Sequence, residues 1–261
     1  MGYSFGMIDD KKIICVIPAR LNSSRFPEKI LAPLGGKPLL QWAWESALKV
    51  SFLDEVVFAV DSSKTAQVIE GFGGKYYMTS PDCPSGTDRL VELQKRGLLK
   101  GDIWVNWQAD EPFVSEAILQ DLLFSSRNSS ADVWTLKIEI VDEKKVYDPT
   151  CCKVVCDDLG QALYFSRSPI PYYRNPESAD KKYFKHIGLY AYSNEALEKI
   201  SHMKPCGLEE AECLEQLRFL FHGLKIQVSE TKEETIGIDL PEHLILAEDY
   251  VKNCLFKLSL I

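Results

Sequence analysis

The chain has 261 residues, 46% hydrophobic, 26% charged and 11% aromatic, which is the composition of an ordinary packed soluble protein and not of a disordered or fibrous one. Its 30 Lys and Arg against 38 Asp and Glu give a formal net charge of -8, so no global basic field exists to hold nucleic acid or anionic lipid. Any anionic partner must be met by a local basic cluster. No run approaches the roughly 20 apolar residues that span a bilayer, and the start MGYSFGMIDDKK lacks the basic-then-apolar order of a secretory signal, so a cytoplasmic location without membrane insertion is expected. The Met-Gly start fits myristoylation poorly, because Gly6 stands where that pattern asks for Ser or Thr.

From Lys12 onward short β-rich runs alternate with helical periodicity: IICVIPA, PLLQWAWESALKV, EVVFAVD, KTAQVIEGF, KYYMTS, TDRLVELQKRGL, DIWVNWQ and SEAILQDLLFSS. Strand and helix in alternation predict parallel βαβ units, an α/β fold with a mostly parallel central sheet and helices on both faces. Ligands bind such sheets beyond the carboxyl ends of the strands, which directs attention to the loops after Ala19, Asp61, Ser80 and Gln108. From Asp132 the pattern changes. DVWTLKIEI, CCKVVCD and QALYFSR read as strands, with Asp157 to Gly160 as a hairpin turn, and together predict an antiparallel insertion. Pro169 to Asp180 reads as an exposed loop, KHIGLYAYS as a strand and NEALEKI as a helix; LEEAECLEQLRFLFHG, KIQVSE and PEHLILAEDYVKN read helix, strand, helix. No repeat, low-complexity tract or interdomain linker interrupts the chain.

The eight cysteines form no C-x-x-C pair and sit mostly in apolar runs, as reduced, buried thiols do. His202, His222 and His243 lack partners at metal-ligand spacing and read as structural.

The loop after the first strand, PARLNSSRFPEK, carries Arg20, Arg25 and Lys29. Arginine forks take phosphate oxygens bidentately, lysine serves as a point charge, and the small residues Ala19, Ser23 and Ser24 let backbone N–H groups approach, so the loop reads as a polyphosphate cradle. Neither a Walker loop nor a strand-following G-x-G-x-x-G is present, which removes the main support for ATPase and NAD readings. In CPSGTDR, Gly86 permits close backbone approach, Ser85 or Thr87 can cap the next helix, and Arg89 lies in its first turn; anion binding and simple capping, with Arg89 in solvent, both fit. Asp110, just past a buried strand in WQADEP, and Asp239, in GIDLPE, suit Mg²⁺, which takes one or two carboxylates plus substrate phosphates; each also suits a helix cap. Arg167, His186, Tyr190, Glu215 and Gln216 form a further polar set, with His186, Gly188 and Tyr190 on one strand face. Taken alone, His186 reads as a satisfied core histidine and Glu215 with Arg218 as an exposed helix pair.

IPARLNSSRFPEK, SGTDRL, NWQADEP, YFSRSPIP, HIGLYAY, LEQLRFL and GIDLPEHL, in this order over nearly the whole chain, resemble the 3-deoxy-manno-octulosonate cytidylyltransferases, or CMP-KDO synthetases. The resemblance implies a nucleotide-diphospho-sugar transferase fold and a cytoplasmic homodimer. It implies synthesis of CMP-KDO from CTP and KDO, with Mg²⁺ and release of pyrophosphate, for lipopolysaccharide assembly. It implies one domain, 1–261, with a nucleotide-binding part at 11–130, a sugar-binding and dimerisation part at 131–240 and a C-terminal helix at 241–261. It assigns the triphosphate to Arg20, Arg25 and Lys29, and cytidine to Ser85, Gly86, Thr87, Arg89 and the backbone near Ala19, with Ser23 also in the nucleotide-binding set. Mg²⁺ falls to Asp110 and Asp239, and KDO to Gln108, Arg167, His186, Tyr190, Glu215 and Gln216. Lys29, Arg25, Asp110 and Asp239 are the expected catalytic set. Three departures stand out: Ala109 for an expected Gly, Asp88 for an expected Glu, and a dozen extra residues at the start. The methyl of Ala109 is expected to narrow the sugar pocket or shift its loop. A CMP-sialate synthetase and a catalytically idle nucleotide-sensing dimer are the competing readings; the first fits the sugar-half segments less well, and retention of both aspartates argues against the second.

Overall fold

The computed structural model describes residues 10–23, 26–124, 131–175, 177 and 181–258, with side chains as far as 252. The chain divides into two compact units, one formed by Lys12–Glu116 with the segment from Thr235 onward, the other built on Ala117–Glu234.

The first unit runs β1 (Ile13–Ala19), a 3-10 turn (Lys29–Leu31), the short hairpin β2 (Pro33–Leu34) and β3 (Lys37–Pro38), α1 (Leu39–Ala47), β4 (Glu55–Val60), α2 (Ser63–Gly71), β5 (Tyr76–Met78), α3 (Gly86–Lys95) and β6 (Ile103–Asn106). Its sheet is wholly parallel, in the order β6, β1, β4, β5. β1 is buried at all seven positions, which is why IICVIPA is an unbroken apolar run and not an alternating one. The predicted strand KYYMTS shortens to three residues at the sheet edge.

The second unit runs from α4 (Glu116–Phe124) through β7 (Val133–Glu139), α5 (Glu143–Tyr147), β8 (Lys153–Cys156), β9 (Ala162–Ser166), β10 (Phe184–Ser193), α6 (Asn194–Ile200), α7 (Gly207–Glu212) and α8 (Gln216–Phe221) to β11 (Ile226–Glu230). β7 pairs in parallel with β11 and antiparallel with β10, which in turn pairs with the antiparallel hairpin of β8 and β9. The hairpin turn follows the expected chemistry. Asp157 Oδ1 accepts from the N–H groups of Leu159 and Gln161 at 3.0 and 2.7 Å, and Gly160 takes φ +79°. The single helix expected over Leu208–Gly223 is instead two. Cys213 turns left-handed at φ 51°, which ends α7 before α8 begins.

The chain then returns to the first unit as α9 (Pro241–Leu258), whose Ala247 and Val251 bury against Leu34, Leu39 and Ile238, with Phe26, Trp42 and Phe113 packed around them. No described helix is long and apolar enough to cross a membrane.

Candidate active site

The centre of the first unit's site is an ammonium between two carboxylates. Glu28 takes a left-handed conformation and starts the 3-10 turn that aims Lys29 inward, where its side chain is 9% exposed. Lys29 Nζ lies 2.5 Å from Asp110 Oδ2 and 3.2 Å from Asp239 Oδ1. Asp110 follows β6 and Asp239 precedes α9, and the Ile238 N–H donates to the Asp110 carbonyl at 2.9 Å, so backbone pairing holds the two segments side by side. The Asp239 N–H in turn donates to Nδ1 of His243 at 3.1 Å. One ammonium thus serves both carboxylates. Helix capping, the bland expectation for both aspartates, does not account for this convergence on Lys29.

Around this triad the strand-end loops form a cleft of about 220 Å³, lined by Pro18, Arg20, Ser23, Ser85, Gly86, Arg89, Gln108 and Ala109 besides the three charged groups. Ser85 is the cap of α3: its Oγ accepts from the Asp88 N–H at 3.1 Å and donates to the Asp88 carboxylate at 2.7 Å, a reciprocal arrangement that Asp serves where Glu was expected. A Cβ on Gly86 would stand 3.2 Å from Pro18 and 3.4 Å from both Asn106 and Gln108, so a side chain there would crowd the cleft wall. Gln108 donates to Asn106 Oδ1 at 2.9 Å. Ala109 is 2% exposed, and Ala19 and Thr87 are buried. Arg89 lines the cleft and is not in solvent, as the simple-capping alternative had it. Its guanidinium is buried and bonded to Asp61 Oδ2 at 2.8 Å, Thr79 Oγ1 at 2.7 Å and the Ser80 carbonyl at 3.1 Å. Arg25 lies outside the described residues.

In the second unit the expected polar set gathers in one neighbourhood. His186 and Tyr190 bring their rings to 5.4 Å across a register shift in β10, and His186 Nε2 lies 3.0 Å from Thr135 Oγ1. Burial, reinforced by Lys185, pushes the His186 imidazole down to about 3, so it is neutral. Burial also raises the Tyr190 phenol well above its ordinary range, with Tyr192, Cys152 and Glu215 adding to the effect. Gln216 is buried, its amide turned toward Cys152 Sγ. Arg167 spends its guanidinium on backbone carbonyls of Glu212, Pro149 and Cys213, at 2.6, 2.9 and 3.3 Å.

A family model described as cytidylyltransferase matches residues 14–226. The chain belongs to that family. Among its relatives, the 3-deoxy-manno-octulosonate cytidylyltransferase of Vibrio parahaemolyticus serotype O3:K6 is 42% identical over 236 residues, spanning 88% of this chain and 94% of that one. The enzyme of the same name from Thermodesulfovibrio yellowstonii is also 42% identical, over 90% of this chain and 96% of its own. A solved structure of CMP:2-keto-3-deoxy-manno-octonic acid synthetase complexed with CTP superposes with a TM-score of 0.87 at 40% identity, covering 93% of this chain and 99% of that one. At 14% identity and a TM-score of 0.59, 4-diphosphocytidyl-2C-methyl-D-erythritol synthase from Anaerococcus prevotii shares the fold alone.

Two residues of this cytidylyltransferase escaped the sequence reading. His243 was set aside for want of metal-ligand partners, yet it holds the Asp239 backbone; its position four residues on, in the first turn of a helix, was the available signal. Asp61 was noted only as the end of a strand, and nothing in its spacing announces a partner 28 residues away.

Proposed function

We infer that this cytidylyltransferase joins CTP to 3-deoxy-D-manno-octulosonate, forming CMP-KDO and pyrophosphate and so activating the sugar for lipopolysaccharide assembly. The observation that carries the inference is Lys29 held between Asp110 and Asp239 at the strand ends of a chain whose 42%-identical relatives bear that enzyme's name. The anomeric oxygen of the sugar forms a bond to the α-phosphorus, the bond from that phosphorus to the α,β-bridging oxygen breaks, pyrophosphate leaves, and the hydroxyl proton passes to solvent. Such transfers depend on positioning and on electrostatic stabilisation more than on covalent help.

The residues fit Mg²⁺ by their chemistry: two carboxylates already share a cation, the Lys29 ammonium, and two is the number Mg²⁺ takes when substrate phosphates complete its shell. Bound by Asp110 and Asp239, Mg²⁺ would supply charge to the phosphates and acidity to a coordinated hydroxyl. Lys29, turned out from the carboxylates, serves the α-phosphate and the leaving group, and Arg20 with Arg25 serves the rest of the triphosphate. Gly86 and the Ser85-capped start of α3 leave room for cytidine, while Gln108, Arg167, His186, Tyr190, Glu215 and Gln216 are the groups for the sugar. Because His186 is neutral and Arg167 is tethered, the sugar set acts through fixed hydrogen-bonding groups. Homodimer formation through the 169–180 loop and its flanking strands, and a cytoplasmic setting, rest on the resemblance; light scattering checks the first.

The test is pyrophosphate release with CTP and Mg²⁺ in the presence of KDO, of N-acetylneuraminate, or of no sugar, repeated without the metal. Release with KDO and metal only is expected. Release with the sialic acid only would reassign the sugar, and CTP binding without any turnover would make the chain a nucleotide sensor.

A further inference from the structure

Three strand-end loops of the first unit meet at one carboxylate that the reaction itself does not use. Asp61, immediately after β4, divides its two oxygens. Oδ1 accepts from the backbone N–H of Leu21 at 3.0 Å, and Oδ2 accepts from Arg89 Nη2 at 2.8 Å. The pair is well covered, with the Arg89 side chain 3% exposed and that of Asp61 12% exposed. Arg89 is fixed from its other side by Thr79 and the Ser80 carbonyl, and Thr79 itself bonds back to the Val60 carbonyl. Leu21 lies next to Arg20 and two residues before Ser23, in the middle of the loop that carries the phosphate-binding cations. A loop rich in small and polar residues, with no regular structure of its own, costs conformational entropy when a ligand orders it.

We propose that Asp61 is the positioning residue of the nucleotide site: held by Arg89, it anchors the Arg20–Ser23 loop through the Leu21 amide and so pre-forms the triphosphate cradle. This rests on reading the cleft as the CTP site. It also gives Arg89 a role beside the contact with cytidine that the resemblance assigns, as the group that holds Asp61. Asparagine at position 61 retains an oxygen acceptor for the Leu21 N–H but discards the charge opposite Arg89. Alanine discards both. The two substitutions therefore separate anchoring of the loop from stability of the pair.

Calorimetric CTP binding without sugar, steady-state kinetics and thermal melting would be measured on the parent, Asp61→Asn and Asp61→Ala. Both variants are expected to melt lower, since each orphans Arg89. Only Asp61→Ala is expected to weaken CTP binding, by about tenfold or more, as a rise in the CTP KM with kcat at saturating CTP and the KDO KM nearly unchanged. Asp61→Asn should stay within about threefold of the parent. If the alanine variant does not fold, the same contrast is made in an Arg89→Met background, where the orphaned cation is gone and Asn and Ala at position 61 differ in the acceptor for Leu21. Equal CTP affinity for the two members of the pair overturns the inference, as does an Asp61→Asn defect as large as that of Asp61→Ala. A parent that binds no CTP at all overturns the site assignment itself, an outcome distinct from a parent that binds CTP and an alanine variant that binds it equally well.

Discussion

The two units of this cytidylyltransferase differ in how they hold their most buried cations. In the first, charged side chains are matched by other charged side chains: Lys29 by Asp110 and Asp239, Arg89 by Asp61. In the second, Arg218 also pairs with a side chain, Glu209, but the most buried cation is matched by backbone. Lys153 is fully buried and donates to the carbonyls of Asp148, Cys151 and Arg167 at 3.0, 2.6 and 2.5 Å, and Arg167 is itself held by three carbonyls. A side-chain ion pair can exchange its partner for a phosphate or a metal ion, whereas a cation wrapped in carbonyls cannot leave without unfolding its loop. The first arrangement suits a site that must take up and release a highly charged nucleotide, the second a rigid surface for hydroxyl groups.

The largest expected effect follows from removing one of the exchangeable charges. Asp239→Asn keeps the size of the side chain and its contact with Lys29 while halving the anionic charge of the metal site, and turnover should fall by about 100-fold or more, measured as pyrophosphate release at saturating CTP and KDO. Turnover within a few fold of the parent would remove Asp239 from the chemistry.

Lys29→Met tests exchange directly. The substitution leaves Asp110 and Asp239 facing one another without their ammonium, so the nucleotide-free variant should bind Mn²⁺ about tenfold more tightly than the parent, as read by the paramagnetic signal of the free ion, while turnover falls. Equal Mn²⁺ affinity would mean that Lys29 and the metal do not compete for the same carboxylates.

The same contrast explains what could be read from the amino-acid order. The parallel βαβ half was legible because β1, β4 and β6 announce themselves as apolar runs and their polar loops follow at fixed places, which is how Lys29, Asp110 and Gln108 were found. Asp61 and Arg89 were not paired, since an ion pair between the end of one strand and a helix that follows another depends on the order β6, β1, β4, β5, and periodicity does not specify strand order. In the second unit the break between α7 and α8 was missed because AECLEQL keeps its helical apolar spacing through Cys213; the left-handed turn there has no glycine or proline to announce it. The bonds of Arg167 were equally hidden, because carbonyl partners carry no residue-type signature.

His186 probes the second unit through pH. The folded protein holds its imidazole at about 3 against 6.5 for a free histidine, chiefly through burial and further through Lys185. As pH falls, the unfolded chain takes up this proton first, so the stability that neutral His186 contributes is complete above 6.5 and is lost progressively toward 3. His186→Gln keeps an amide beside Thr135 Oγ1 and does not titrate. The stability advantage of the parent over this variant should therefore shrink between about pH 7 and about pH 4.5 in urea melts. A difference that stays constant over that range would show that the imidazole charges inside the fold without penalty.

The smallest effect concerns the hinge between α7 and α8. Cys213 holds φ 51° with a side chain whose β-carbon crowds that conformation, and its thiol makes one weak contact, to the Glu210 carbonyl at 3.6 Å. Glycine adopts the same backbone without that crowding but is freer in the unfolded chain, so the two terms partly cancel. Cys213→Gly should stabilise the protein by about 0.5–1 kcal/mol, a rise of a few degrees in Tm. Its carbonyl is one of the three that hold Arg167, and the backbone path does not change, so the KM for KDO should be unaffected. A raised KM with a raised Tm would mean that the strained conformation itself sets the geometry around Arg167, and that the second unit, like the first, stores part of its function in a local cost.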